Sequence, residues 1–227
     1  MIKKLNDLLN QYGLFVRGGF FPEPGDGIPL LSNGSPARTV VLIGNAGSAL
    51  WDSFTREVHN NGRQSLDRWL TPIITKAANK VDAEPIFPNQ GPPFIPLAKW
   101  AMRAEAVYRS PIGILIHSTF GLWHVYRAAF LFNDKVAVPN RSDDPNPCSS
   151  CVSRPCLRVC PADAFGSDRF NAYACSSFVE SEWGENCRDR GCMARRVCPI
   201  GRDYSYVPAQ QKFHTAAMLK AVKKGFG

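Results

Sequence analysis

The chain has 227 residues, 44% of them apolar and 11% aromatic, with 27 Lys and Arg against 19 Asp and Glu for a formal charge of +8. That length holds one large domain or a medium one with a smaller companion, the composition is that of a globular protein, and no apolar run approaches the roughly 18 residues of a membrane span. The positive charge does not by itself point to nucleic acid: Lys212, Lys220, Lys223 and Lys224 supply four of the charges in a C-terminal stretch with no acid after Asp203, and neither an aromatic-basic stripe nor a helix-turn-helix pattern accompanies them.

The opening MIKKLNDLLNQYG is basic, but Asn6, Asp7, Asn10 and Gln11 break any apolar signal-peptide core, so the expected location is the reducing cytoplasm. Ile2, Leu5, Leu8, Leu9 and Tyr12 recur at helical spacing and Gly13 can cap the end. TVVLIG, residues 39–44, is short and β-branched enough for a buried strand, and residues 46–60 then repeat Leu50, Trp51, Phe54 and Val58 on one helix face. The turn GNAGS between them could present amides to a phosphate, although a strand-Gly-x-x-Gly-helix is common without any ligand. Residues 65–81 predict another helix, and EPIFPNQGPPFIP, with its prolines and glycine, predicts an irregular loop. Leu97, Trp100, Ala101, Ala104 and Tyr108 define a further helix face. ILIH, 114–117, reads as a strand turned at Phe120 and Gly121 into LWHVYRAAFLF, 122–132, giving a central hairpin. In its second strand Trp123, Val125, Arg127, Ala129 and Leu131 share a face, so one guanidinium interrupts an apolar row and needs an anion: a carboxylate or carbonyl of the protein, or a ligand.

All eight cysteines follow residue 147. Cys148, Cys151, Cys156 and Cys160 have the spacing C-x2-C-x4-C-x3-C-P, and Cys175, Cys187, Cys192 and Cys198 follow, the last again before a proline. A [4Fe-4S] cube takes one thiolate per iron, and in two-cluster ferredoxins the cysteine before proline serves the other cluster. The expected sets are therefore Cys148, Cys151, Cys156 and Cys198 around one cube and Cys160, Cys175, Cys187 and Cys192 around the second. Two zinc ions could use the same thiolates, but zinc sites favour paired C-x2-C knuckles, and only Cys148 and Cys151 form one. The expected organisation is an α+β domain over 1–144, a ferredoxin-like two-cluster domain over 145–207, with Pro145 and Pro147 at its start, and a solvated basic tail over 208–227.

PIGILIHSTFGLWHVYRAAFLF, 111–132, resembles the core hairpin of CblC-type cobalamin-processing proteins at Gly113, Ile116, His117, Phe120, Gly121, Trp123 and Arg127. FIPLAKWAMRAEAV is similar to a helix of epoxyqueuosine reductases and reductive dehalogenases, in which a cobalamin domain precedes a two-cluster ferredoxin domain, and CSSFVES and GCMARRVCP resemble the second cluster motif of epoxyqueuosine reductases without its middle cysteine. The resemblance implies a nitroreductase-like domain that holds cobalamin, with Gly113, Ile114 and Leu115 as apolar floor and backbone amides, and Tyr108, Phe120, Trp123 and Tyr126 as walls. It also implies an anion or a corrin arm on Arg127 and a hydrogen-bonding scaffold role for His117. The aspartate proton donor of the epoxyqueuosine reductases has no counterpart here, where Gln90, Gly91, Pro92 and Pro93 stand, and no helical-repeat domain for transfer RNA is seen. The function expected is therefore cobalamin binding and cobalt reduction, with an electron-donor protein or small reductant, a B12-dependent acceptor enzyme and a homodimer as the partners admitted. An electron-transfer ferredoxin docking a partner protein, or a flavin enzyme of nitroreductase type, are the alternatives.

Overall fold

The computed structural model describes residues 1–61, 65–166 and 170–225, with the side chains of 58–61 left aside. The chain divides into two compact units, residues 1–106 with 124–144, and residues 107–123 with 145–227.

The first unit is built on an antiparallel sheet of strands β1 (Phe15–Phe20), β2 (Thr39–Ala46), β6 (His124–Phe132) and β3 (Glu84–Ile86), in that spatial order. Val40, Val41, Leu42 and Ile43 of β2 face Leu131, Phe130, Ala129 and Ala128 of β6 and are wholly buried, which is why this run reads as apolar without alternation. Helices α1 (Ile2–Leu9), α2 (Ala49–Asn61), α3 (Leu66–Asn79) and α4 (Leu97–Ala104) complete the unit. Each lies near its expected place. Ser65 caps α3, its Oγ accepting from the Arg68 amide at 3.2 Å. Leu50 and Phe54 of α2 are buried and Trp51 is half-buried, while Val58 lies outside the described side chains.

Two β-bulges give this sheet its chemistry. The register between β1 and β2 slips at Arg17, and that between β2 and β6 slips at Arg127, so each arginine is the extra residue of its strand. The expected apolar row of β6 is thereby broken before the guanidinium would have to enter it. A Cβ on Gly44 would lie 2.4 Å from the Val125 carbonyl oxygen and 3.0 Å from Arg17 Cγ, so the first glycine of GNAGS makes room for a crossing side chain.

The second unit corrects three expectations. Residues 97–108 are not one helix: α4 ends at Ala104, and Val107–Arg109 form β4, which pairs with β5 (Leu115–His117). The central hairpin does not form: β5 ends after three residues, the chain turns at Gly121 (φ 55), and β6 pairs with β2 and β3 while β5 pairs with β4. Ile112, Ile116 and Leu122 then share a core with Ala194 and Cys198, so 107–123 packs with the cysteine segment and not with the residues on either side of it. The C-terminal stretch is no solvated tail. Pro208 opens a helix, α9 (Pro208–Lys223), that packs on α7 (Glu185–Arg190); residues 226–227 lie outside the described ones.

Candidate functional site

The eight thiols are free and sort into two cavities. Cys148, Cys151, Cys156 on α5 (Pro155–Arg158) and Cys198 line one of about 190 Å³, together with Pro111, Ile116 and Ile200. Cys160, Cys175 on α6 (Ala172–Glu180), Cys187 on α7 and Cys192 just before α8 (Met193–Arg196) line another of about 50 Å³, with Phe165, Phe178 and Met218. Cys198 thus stands with the first three cysteines of the chain, and Cys160 stands with the later group.

Local geometry turns backbone N–H groups toward the sulfurs. The amides of Ala194 and Arg195 at the start of α8 donate to Cys192, that of Met193 to Cys187, that of Ile200 to Cys198, and that of Ala164 to Cys160 at 3.5 Å. Such nests stabilise negative sulfur. Burial opposes them: it pushes the Cys148 and Cys175 thiols up to about 11, with the other members of each set adding to the rise. Clustered thiols held protonated in this way lose their protons to a bound metal centre, whose positive charge inverts the balance. Among the described residues no three of His, Cys, Asp and Glu are placed to hold a metal ion. A cube asks for a wider spread than that, since each thiolate takes its own iron.

Beside the second set lies a largely apolar pocket of about 450 Å³, which shares Phe165, Cys175, Cys192, Thr215 and Met218 with the small cavity. Gly113 (φ 84) and Ile114 form one wall; no atom lies within 4 Å of where a Gly113 Cβ would be, so this glycine leaves the wall open. The opposite wall is one face of α9, presenting Gln211, His214, Thr215 and Met218 at helical spacing. Gly191 (φ 80) lets the helix approach, since a Cβ there would meet the Gln211 side chain at 2.6 Å. Arg195 also lines the pocket; its guanidinium lies 4.5 Å from the centres of both the Trp123 and the Tyr206 ring, which are themselves in edge contact at 5.3 Å, and its Nε and Nη2 donate to the Leu122 carbonyl at 3.0 and 2.5 Å.

The residues expected to hold a cofactor are divided between the units. Gly113 and Ile114 line the pocket, and Leu115 and Tyr108 are half-buried in the two-stranded sheet. His117 is a turn brace: its Nδ1 accepts from the amides of Thr119 at 2.9 Å and Phe120 at 3.3 Å, and its ring stacks on Phe120. Trp123 is 1% exposed, so it is a core ring under Arg195 and Tyr206 and not a pocket wall. Tyr126 and Arg127 belong to the first unit. There Arg127 Nε donates to the buried Asn45 side chain at 2.9 Å, at the edge of a cavity of about 120 Å³.

Tyr126 joins a buried ion pair. Arg17, fully buried, bonds Glu105 through Nη2 at 2.8 Å, contacts His124 Nδ1 at 3.2 Å, and lies 4.7 Å from the Tyr126 ring centre, while the Tyr126 hydroxyl donates to Glu105. Burial raises both the Glu105 carboxyl and the Tyr126 phenol, and the Arg17 charge counters the rise.

Sequence reasoning missed Arg195 and the α9 face. The i, i+3, i+4, i+7 recurrence of Gln211, His214, Thr215 and Met218 was a readable signal, but it is polar, and a search for apolar faces passes over it.

No model of a known protein family matches the chain, and no curated protein matches it in sequence. Among solved structures, the B12-trafficking protein CblC of C. elegans, a homologue of human MMACHC, is similar with a TM-score of 0.55 at 14% identity, over 96% of this chain and 94% of that one. An epoxyqueuosine reductase solved with an epoxyqueuosine-modified tRNA-Tyr stem loop also aligns, with a TM-score of 0.49 at 16% identity, over 90% of this chain and 66% of that one. The fold of the chain is thus α+β and like that of CblC.

Proposed function

We propose that the chain is an iron–sulfur protein that binds cobalamin and reduces its cobalt, in B12 processing or in a cobalamin-dependent reduction. In this reading the first unit is a nitroreductase-like domain and the cysteine-bearing part of the second a ferredoxin-like one, with a [4Fe-4S] cluster on each thiol set. The observation that carries the reading is the sorting of eight thiols into two fours, one of which shares Cys175 and Cys192 with an apolar pocket. The likeness to the fold of a B12-trafficking protein supports cobalamin as the occupant. When bound, the clusters and corrin supply the one-electron chemistry, which no side chain of the chain offers.

The residues fit that task. Ile112, Ile114, Phe165 and Phe170 exclude water and accept a broad apolar face, while Gln211 and His214 offer hydrogen bonds to amide arms at its edge. Arg195, held against the Trp123 and Tyr206 rings, keeps a positive charge beside the second set and favours its more reduced, more negative state. Anaerobic purification followed by metal assay and a cobalamin titration in the visible spectrum tests the proposal. About eight irons per chain and a shift of the corrin bands are expected; zinc in place of iron, or an unshifted corrin spectrum, would overturn it.

A further inference from the structure

The second unit carries a more polar hollow on the other side of its chemistry. This open groove of about 460 Å³ is lined by Arg109 of β4, Asn146, Ser149, Arg154 and Cys148 among others, and no Asp or Glu is among its described lining residues. Arg109 and Arg154 are both exposed. Cys148 lines this groove and the cavity of the first thiol set alike, so a residue of that set reaches the groove wall. Arg154, between Cys151 and Cys156, stands in the left-handed region at φ 38, which an arginine occupies only where the surrounding loop holds it. Its charge also acts on the Cys148 thiol. Val152, in the same loop, is 96% exposed, an apolar contact set among cations as in transient docking patches.

We propose that this groove docks an acidic one-electron carrier protein, which reduces a cluster on the first thiol set, while the second set serves the apolar pocket. The inference rests on the iron–sulfur reading of the two sets. Cys148, Cys151, Cys156 and Cys198 would hold the cluster that takes up the one electron given up by the reduced carrier, so the carrier would be oxidised by one electron and the cluster reduced by one. No covalent bond forms or breaks, and no proton is required. Two exposed guanidiniums, with no carboxylate among the described lining residues, steer an anionic surface toward the groove and repel a cationic one, and steering of this kind raises encounter rates by about 10- to 1000-fold at low salt. Among the described residues that line the apolar pocket, Arg195 is the one Arg or Lys, and it is engaged by Trp123, Tyr206 and Leu122.

The test uses the full, cluster-loaded chain and a small acidic [2Fe-2S] ferredoxin as probe. Stopped-flow absorbance gives the rate of cluster reduction, and a redox-inert, gallium-substituted form of the same ferredoxin gives binding without electron transfer. Arg109→Glu and Arg154→Glu are each expected to lower the second-order rate about tenfold at low salt and to weaken binding of the gallium form in parallel. Both differences should vanish at high salt, whereas reduction by dithionite and the behaviour of a Lys80→Glu control should not change. Full iron content with unchanged rate and binding in both variants overturns this proposal alone. Absence of iron from the unsubstituted protein overturns the cluster reading and this one together. If Arg154→Glu fails to hold iron, Arg109→Glu, on a strand that carries no cysteine, decides the matter.

Discussion

Replacing Cys160 separates two ways of dividing the thiols. In chain order it closes the run Cys148, Cys151, Cys156, Cys160; in space it lines the cavity of Cys175, Cys187 and Cys192. A cube that loses one of its four thiolates loses its hold, so under the proposed iron–sulfur reading each set stands for about four irons. Cys160→Ala should therefore take the iron content from about eight to about four per chain, and so should Cys175→Ala alone. The double variant is decisive, because its two lost ligands belong to one set in space but to different sets in chain order. Cys160→Ala with Cys175→Ala should retain about four irons, whereas Cys148→Ala with Cys160→Ala should retain almost none. Colorimetric iron and sulfide after anaerobic reconstitution, with electron paramagnetic resonance of the reduced samples, supplies the readout. The first unit contains no cysteine and should keep its fold in every variant. Near-zero iron in Cys160→Ala with Cys175→Ala would refute the spatial division.

Two further predictions concern the thiol unit. Gly121→Ala would set a Cβ 2.0 Å from the Ile200 carbonyl oxygen at φ +55, close to Cys198, and should cost about 2–4 kcal/mol from overpacking and backbone strain in urea denaturation. Gly113→Ala, at φ +84 but in open space, should cost only about 1 kcal/mol by the same measurement. The cluster-free chain should lose stability at alkaline pH. Cys148 and Cys175 have folded-state values raised from the ordinary 9.0 to about 11, so the native state binds more protons than the unfolded one in that interval. Their contribution is whole below about pH 9 and lost as the pH rises through about 11. Thermal melts from pH 8 to 11 should fall more steeply for the unsubstituted chain than for Cys148→Ala with Cys175→Ala; parallel slopes would count against the assignment.

Local information was enough where local physics rules. The buried run 39–44, the helix cap at Gly13, and the prolines beside the cysteines could be read because each depends on neighbours within a few residues. The clustering of all eight cysteines after residue 147 was legible for the same reason: spacing is a property of the chain itself. Elsewhere the partner decided. Residues 114–132 read as one hairpin, yet β5 pairs with β4 and β6 with β2 and β3, because strand pairing follows which apolar faces find one another and the Gly121 turn only permits either outcome. Arg127 and Arg17 fall on bulges that no alternation of residue types announces. α9 looked like a basic tail because its useful face is polar and acquires meaning only when Gly191 and the second thiol set lie against it. The chain alone determined that sulfur would gather near its end and in what chemical company. The division of the thiols, with Cys198 beside the first three and Cys160 beside the later ones, was also legible, in the proline that follows each of those two cysteines. Which pocket adjoins them was decided by packing between segments far apart in sequence, since a cavity is made by surfaces that only folding brings together.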